Sequence, residues 1–200
     1  MYNIQNSLSI KENYQLGYLP QRNSKTSFYQ DENFSCRCNL HNFQLSSENR
    51  RIIKKTDNFS FKKISISDFY YSPVIQKQIV SWVKGLGWDF PTSSIKCVFT
   101  NHIFNYLYIW YDESQQVSAY SICYFDKDFS HIAYVFYNPI YAHNDLPIRL
   151  SLQVLKDSSD AGLQYCYLGR FNPETKLGYY KRNFGNFEYF AHGQWLAYNK

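Results

Sequence analysis

The clearest periodic signal lies mid-chain, where Val74, Ile75, Ile79, Trp82 and Val83 recur at helical spacing behind Ser72-Pro73. Proline suits the first helical position and Gly85 and Gly87 end the run, so a helix is predicted from Pro73 to Gly85. Beyond it, Lys96 to Tyr111 reads as a strand or pair of strands, Asp112 to Gln116 as a turn, and Val117 to Phe125 as the returning strand. Asp126-Lys127-Asp128 turns the chain again, and His131 to Tyr137 forms a strand that Asn138-Pro139 stops, which completes an antiparallel meander. Leu146, Leu150, Leu152, Val154 and Leu155 then fit a helix to Ala161, capped by Asp145 and closed by Gly162. Gln164 to Gly169 follows as a strand with Tyr165 and Tyr167 on one face.

The pattern before Ser67 is weaker. Residues 1–49 are polar and rich in Asn, Ser and Gln, with the Tyr18-Leu19-Pro20 turn and the Phe34 to Phe43 segment as anchors, and they predict an irregular lobe. Ile52/Lys54, Phe59/Phe61 and Ile64/Ile66 alternate as short strands around an Asp57-Asn58 turn. The expected organisation is a small N-terminal lobe over 1–67 and a main region over 68–200. In the main region, the order meander, helix, strand is that of the GNAT-type acyltransferase fold. That fold is α/β (α+β), with a mixed, mostly antiparallel sheet that splays open beside its helix and leaves a cleft for an acyl donor.

Composition supports a large sheet: aromatic residues make up 20% of the 200 residues, with 20 Tyr and 16 Phe, and such side chains favour half-buried pleated surfaces. Thr100, Asn101, His102 and Asn105 break the apolar stretch from Cys97 to Tyr111, so no membrane span is expected. Met1 to Lys11 lacks a basic region followed by an apolar core, which predicts a cytoplasmic protein with no membrane partner. The five cysteines, Cys36, Cys38, Cys97, Cys123 and Cys166, are odd in number and read as reduced thiols. The charge is uneven: residues 1–89 hold 12 Lys and Arg against 7 Asp and Glu, whereas 90–200 hold 9 against 9. Arg50, Arg51, Lys54, Lys55, Lys62 and Lys63 face only Glu48 and Asp57, a density suited to a phosphate backbone and equally to a solvated basic face.

An acyl-coenzyme A donor needs a Gly-rich loop whose N–H groups cradle pyrophosphate at the helix N-terminus. Here that loop, Asn138 to Pro147, contains no glycine and ends near Asp145, which would repel phosphate. A donor held by other means, such as an RNA-borne acyl group, is the better expectation.

Tyr137-Asn138-Pro139, Leu146 at the helix start, Tyr165-Cys166-Tyr167-Leu168-Gly169, Tyr180-Lys181, Phe184, Glu188 and Gly193-Gln194-Trp195 form a spaced set, with no gap needed from Leu146 to Trp195. This set resembles the C-terminal half of the arginyl/leucyl-tRNA–protein transferases of the N-degron pathway. Leu16-Gly17-Tyr18-Leu19-Pro20 and Phe43 to Arg51 resemble two N-terminal segments of that family, in the same order. The chain departs from the family where Leu16 replaces its first cysteine and where only Cys36 and Cys38 remain of its cysteine cluster. Pro147, Arg170, Thr175 and Gly178 replace its Gly, Tyr, Cys and Met. Two thiols do not make a four-ligand metal or iron-sulfur site, and no metal is expected.

The resemblance implies transfer of an amino acid, Arg or Leu, from aminoacyl-tRNA to the N-terminal α-amine of a protein or peptide, marking it for degradation. It implies no cofactor beyond the aminoacyl-tRNA co-substrate; a monomer is expected. The ester is already activated, so positioning, one base and oxyanion stabilisation suffice. Glu188 would bind the ammonium or act as base, or form a salt bridge to Lys181 or Arg182. Lys181, beside Tyr180, would meet the tRNA 3′-end phosphate or an acidic acceptor side chain. Tyr180 and Trp195 would stack the terminal adenosine or pack the core. Arg50 and Arg51 would contact the acceptor stem or an acceptor carboxylate. Tyr137, Leu146 and Tyr167 complete the candidate substrate-binding set. The rival reading is a catalytically inactive GNAT-like module that binds degrons or RNA.

Overall fold

The computed structural model describes residues 3–5 and 8–198. In chain order the elements are β1 (Asn3–Gln5), α1 (Ile10–Gln15), β2 (Leu19–Pro20), β3 (Phe28–Gln30), β4 (Phe34–Asn39), α2 (Ser47–Lys55) and β5 (Ser60–Ser65). There follow α3 (Pro73–Gly85), α4 (Thr92–Phe99), β6 (Tyr106–Tyr111), β7 (Val117–Phe125), β8 (Phe129–Tyr137), α5 (Leu146–Asp160), β9 (Tyr165–Phe171), β10 (Phe187–Ala191) and β11 (Gln194–Ala197). Among the described residues, eight strands form one sheet in the order β11-β10-β4-β9-β8-β7-β6-β5, and β1-β3-β2 make a small second sheet. Every neighbour in the large sheet is antiparallel except β8 and β9, which are parallel and therefore need the α5 crossover. Helices α2 and α5 cover one face, where Leu146, Leu150, Val154 and Leu155 are fully buried. Helices α1, α3 and α4 cover the other, through Tyr14, Ile79, Trp82, Ile95 and Val98.

Three stretches differ from the sequence expectation. Ile52 and Lys54 are helical: Ser46 caps α2 by accepting from the Asn49 N–H at 3.1 Å, and Asn49, Ile52 and Thr56 are buried at helical spacing. A two-residue alternation is too short to separate the two periods. Likewise Lys96 to Phe99 belongs to α4, whose Ile95, Val98 and Phe99 face inward, and only Tyr106–Tyr111 is strand. The N-terminal stretch is regular rather than irregular, since β4 is inserted between β9 and β10 in the middle of the large sheet. Its alternation was hidden because the inward-facing residues of one face are Cys36 and Cys38 and the other face carries an arginine.

That arginine, Arg37, is 7% exposed and anchors the insertion. Its Nε donates to Glu188 of β10 at 2.7 Å and its Nη1 donates to the Tyr167 hydroxyl of β9 at 3.3 Å. The guanidinium lies 3.6 Å from the ring centre of Tyr165 and 4.1 Å from that of Trp195. A desolvated cation is tolerated here because a carboxylate and two aromatic faces replace water. On the same face α1 is tied to β8 by a 2.7 Å hydrogen bond between the Tyr14 hydroxyl and His131 Nδ1. Burial foremost, with Lys181 and Arg170 adding repulsion, pushes the His131 imidazole down to about 3.

Two outcomes follow from these anchors. Arg37→Leu leaves Glu188 with no cation and Glu188→Gln leaves the buried Arg37 with no carboxylate, so each should lower unfolding stability by roughly 3 kcal/mol; denaturant titration reads both, and a loss well under about 1 kcal/mol from either would refute the pair as an anchor. His131 is neutral in the folded chain down to about pH 3 but protonates near its ordinary value of 6.5 once unfolded. Stability contributed by this site is therefore complete above pH 6.5 and is lost as pH falls towards 3. His131→Gln should flatten that part of the thermal-midpoint profile, and an unchanged slope would show that other groups set it.

Candidate functional site

The parallel pairing of β8 with β9 stops at His131 and Tyr167. Beyond that point β8 continues to Tyr137 and β9 to Phe171 without bonding to each other, so the sheet opens between them. A bulge lies on each side of the opening. Ile122 faces Tyr134 while Cys123 faces Ile132, leaving Ala133 unpaired in β8, and Cys36 faces Gly169 while Arg37 faces Tyr167, leaving Leu168 unpaired in β9. Bulges bend their strands and end pairing, which accounts for the splay. The N-terminus of α5 follows the end of β8 and so stands at this mouth.

Asp145 occupies the N-cap position of α5 as expected, but with φ of 60° and without a side-chain bond to the helix N–H groups. Its carboxylate instead accepts from Lys55 of α2 at 2.9 Å, with Arg51 at 3.9 Å. The first turn of α5 thus faces a carboxylate held by two cations. Gly162, with φ of +71°, closes the helix as predicted.

The structure brings Tyr137, Tyr180 and Lys181 to the mouth. Residues 179–184 form a 3₁₀ turn that follows β9 after the loop 172–178. Tyr180 keeps 38% of its surface exposed, while its hydroxyl is enclosed beside Ser151 of α5, and burial pushes it up to about 12. Tyr137 packs edge-on against Trp88, with ring centres 5.4 Å apart, and its hydroxyl is also raised, by burial foremost and then by Tyr180. The Lys181 ammonium donates to the backbone carbonyl of Arg170 at 2.8 Å, and desolvation lowers its proton affinity.

Glu188 lies elsewhere. Its oxygens accept from Arg37 and from Asn39 Nδ2 at 3.3 Å, so its ionic partner is Arg37 rather than the expected Lys181 or Arg182. Its carboxylate borders a separate cavity of about 630 Å³ lined by Asn39, His41, Arg182, Asn186 and Tyr198. Arg182 stacks 3.3 Å from the Tyr179 ring centre and donates to the Tyr198 hydroxyl at 3.1 Å.

Helix α2 links the two places. Ser46 before it borders the cavity, Asn49 donates to the Asn183 carbonyl at 3.3 Å, and Lys55 at its end reaches Asp145. Arg50, Arg51, Lys54 and Lys55 are exposed along it. Arg50 donates to the Leu45 carbonyl, and Arg51 bonds Glu48 through two nitrogens, at 2.6 and 2.8 Å.

Three candidate binding residues pack the core instead of lining an opening. Leu146 is 0% and Tyr167 1% exposed. Trp195 supports Arg37 and donates its Nε1–H to the Gln15 carbonyl at 2.9 Å, so its ring is already engaged. Cys36 and Cys38 are buried thiols on one face of β4, and burial raises both, Cys36 to about 11. Among the described residues no group of three metal-ligating side chains converges, and no helix is long and apolar enough to cross a membrane. Sequence reading missed Arg37, the Lys55–Asp145 pair and the two glycines around Lys181. A lone arginine between two apolar thiols in a strand was the available signal for the first.

No protein-family model matches the sequence, and no curated protein matches it. Solved structures do resemble the fold. The C-terminal domain of a protein from Agrobacterium fabrum assigned as a lysylphosphatidylglycerol synthetase superposes with a TM-score of 0.51 at 12% identity, over 76% of this chain and 50% of that one. The GCN5-related glucosamine N-acetyltransferase region of a fungal multi-domain GH3 β-N-acetylglucosaminidase gives 0.51 at 10% identity, over 80% and 20%. L-PGS from Bacillus licheniformis gives 0.47 at 14% identity, over 80% and 51%. The chain spans about half the length of the first and third of these. Such identities speak to architecture alone. With the splayed β8–β9 pair and the α5 crossover, they show that this chain has a GNAT-like acyltransferase fold.

Proposed function

We propose that the chain is an aminoacyl-tRNA-dependent acyltransferase that moves Arg or Leu onto the N-terminal α-amine of a protein or peptide, acidic N-termini first among acceptors. The observation that carries this reading is the carboxylate that stands at the N-cap of α5. In an acyl-coenzyme A enzyme those N–H groups receive pyrophosphate; here the Asp145 carboxylate stands beside them, clamped by Lys55. Arg50, Arg51 and Lys54 are exposed on the same helix α2, beside Lys55, with Arg51 also 3.9 Å from the Asp145 carboxylate. A polyanion running along α2 would deliver its esterified 3′ end to the mouth at Tyr137 and Tyr180, where aromatic faces suit an unpaired base. The name of the Agrobacterium protein also describes an aminoacyl product, lysyl on phosphatidylglycerol. The register shared with the N-degron transferases, Tyr165 to Gly169 and Tyr180-Lys181, falls on the strand and the turn that border the opening. The enzyme would act as a cytoplasmic monomer, with residues 1–67 supplying the RNA-facing helix.

In the reaction the acceptor amine attacks the ester carbonyl, the carbon–oxygen bond to the ribose breaks, and the ribose hydroxyl takes up a proton. No covalent intermediate is required, and most of the barrier reduction comes from holding the two reactants together. A second reading, a catalytically idle module of the same fold, is favoured by Glu188, whose two oxygens are already engaged by Arg37 and Asn39.

Incubating the chain with a charged tRNA pool and peptides beginning with Asp, Glu, Arg or Lys should give peptides lengthened by one residue, read by mass. Modification of Arg- or Lys-initiated peptides alone would reverse the acceptor assignment, tRNA binding without transfer would select the idle module, and transfer from acetyl-coenzyme A alone would overturn the proposal. Replacing Arg50, Arg51 and Lys54 together by alanine should weaken tRNA binding and reduce the slope of log affinity against log salt by roughly 0.7–0.9 for each phosphate no longer neutralised. An unaltered slope places the RNA on another face.

A further inference from the structure

The segment 165–181 contains a slot for one side chain. Gly169, inside β9, has φ of +83°, and Gly178 has φ of +62°, both in the left-handed region where a Cβ is disfavoured. A Cβ on Gly178 would lie 2.5 Å from the Arg170 carbonyl oxygen and 3.1 Å from the Lys181 ammonium, and one on Gly169 would lie 3.6 Å from that same ammonium. A glycine inside a strand marks a close approach, and here the approaching group is Lys181. From β4, Cys36 closes the slot, its Sγ donating to the Gly169 carbonyl at 3.3 Å.

A lysine buried for structural reasons alone would be expected to carry a carboxylate partner. Lys181 has none among the described residues: its one hydrogen bond goes to a neutral carbonyl. The groups facing it are the Cys36 thiol of β4, which burial keeps protonated, the Arg170 guanidinium of β9 and the His131 imidazole of β8, with Tyr180 beside it in the chain. None supplies a negative charge near neutral pH. Arg170 is itself fixed away from the slot, donating to Ser35 Oγ at 2.8 Å and the Tyr29 carbonyl at 2.7 Å. Desolvation foremost favours the neutral amine and Arg170 adds to it, against a smaller opposing pull from Cys36.

We propose that Lys181 is the proton-accepting base of the transfer, its free amine held in the Gly169–Gly178–Cys36 slot at the mouth between β8 and β9. The inference rests on the transferase reading and assigns one step within it. The acceptor enters as an ammonium and Lys181 takes one proton, becoming an ammonium itself. The freed amine forms the new bond to the acyl carbon, its second proton passes to the departing ribose oxygen, and Lys181 then releases its proton to solvent. Atoms and charge balance with no further reactant. The slot serves this cycle because a neutral surrounding destabilises the charged form and returns the amine.

Competitive acetylation with acetic anhydride across a pH series, read by mass spectrometry on the intact chain, should show Lys181 acquiring amine reactivity at lower pH than Lys54, Lys62 and Lys77. A Lys181 profile that coincides with theirs overturns the proposal without any reference to activity. In the transfer assay Lys181→Arg and Lys181→Met should each lower kcat roughly 10²–10⁴-fold with the KM for tRNA unchanged, because arginine keeps the charge but does not accept a proton. Far-ultraviolet dichroism and thermal midpoints establish that both variants fold. An arginine variant that turns over like the parent sinks the base assignment and leaves the transferase reading intact. A parent chain that transfers from no charged tRNA sinks that reading, and this inference with it.

Discussion

The placement of β4 depends on Arg37. A strand from the N-terminal stretch is inserted between β9 and β10, and the insertion buries a guanidinium that would not be tolerated on an apolar face. The surrounding residues are arranged around that cation: Glu188 across one strand boundary, Tyr167 across the other, and the rings of Tyr165 and Trp195 over its planar faces. Because Glu188 and Arg37 face each other in register, the pair also fixes the alignment of β10 on β4, where a slip by one residue would send the charge to the opposite layer. Glu188, Tyr167 and Trp195 are therefore spaced as they are in the sequence for a reason that does not require a ligand.

The opening beside β9 follows from a local consequence of the same pairing. With Arg37 held opposite Tyr167 and Cys36 opposite Gly169, Leu168 is the residue left over, and the strand must bulge there. The bulge accompanies a left-handed Gly169, and the Lys181 ammonium lies 3.6 Å from where a Cβ on that residue would stand and 3.1 Å from one on Gly178. The bulge at Ala133 acts on the other edge of the gap. Two extra residues, one on each parallel neighbour, thus convert a continuous sheet into one with a mouth, and α5 starts at that mouth because a parallel pair can only be joined by a crossover.

Much of this was legible in the sequence where period and length agree. The helix from Pro73, the strands ending at Phe125 and Tyr137, and the helix closed by Gly162 all carry enough turns or alternations to identify themselves, and the GNAT order followed from them. Ile52/Lys54 and Lys96–Phe99 did not, because two or four residues fit either period and the deciding signal, burial of Asn49 and Thr56 in one case and of Ile95 with Phe99 in the other, is tertiary. For the site, the resemblance singled out Tyr180-Lys181, Glu188 and Trp195 together, and a pattern has no means to separate a ligand role from a salt bridge or packing. The pattern records that a residue is placed, and only the partner across the sheet tells whether it is placed for a ligand or for Arg37.

That distinction bears on where a proton can go. A base must present a lone pair at the point where the amine stands, and the Glu188 carboxylate is held by Arg37 and Asn39 within the sheet, so its protonation would weaken the ion pair with Arg37. Freeing it would strand Arg37 and loosen three strands at once. The carboxylate also borders the cavity beside Asn39 and Arg182, not the opening that the splayed strands create. Lys181 meets the opposite conditions: it is bonded once, to a carbonyl, it sits where β8 and β9 part, and its displacement would disturb only a 3₁₀ turn. On the proposed transfer, Lys181 is the group at the mouth whose single neutral partner leaves it free to take up a proton.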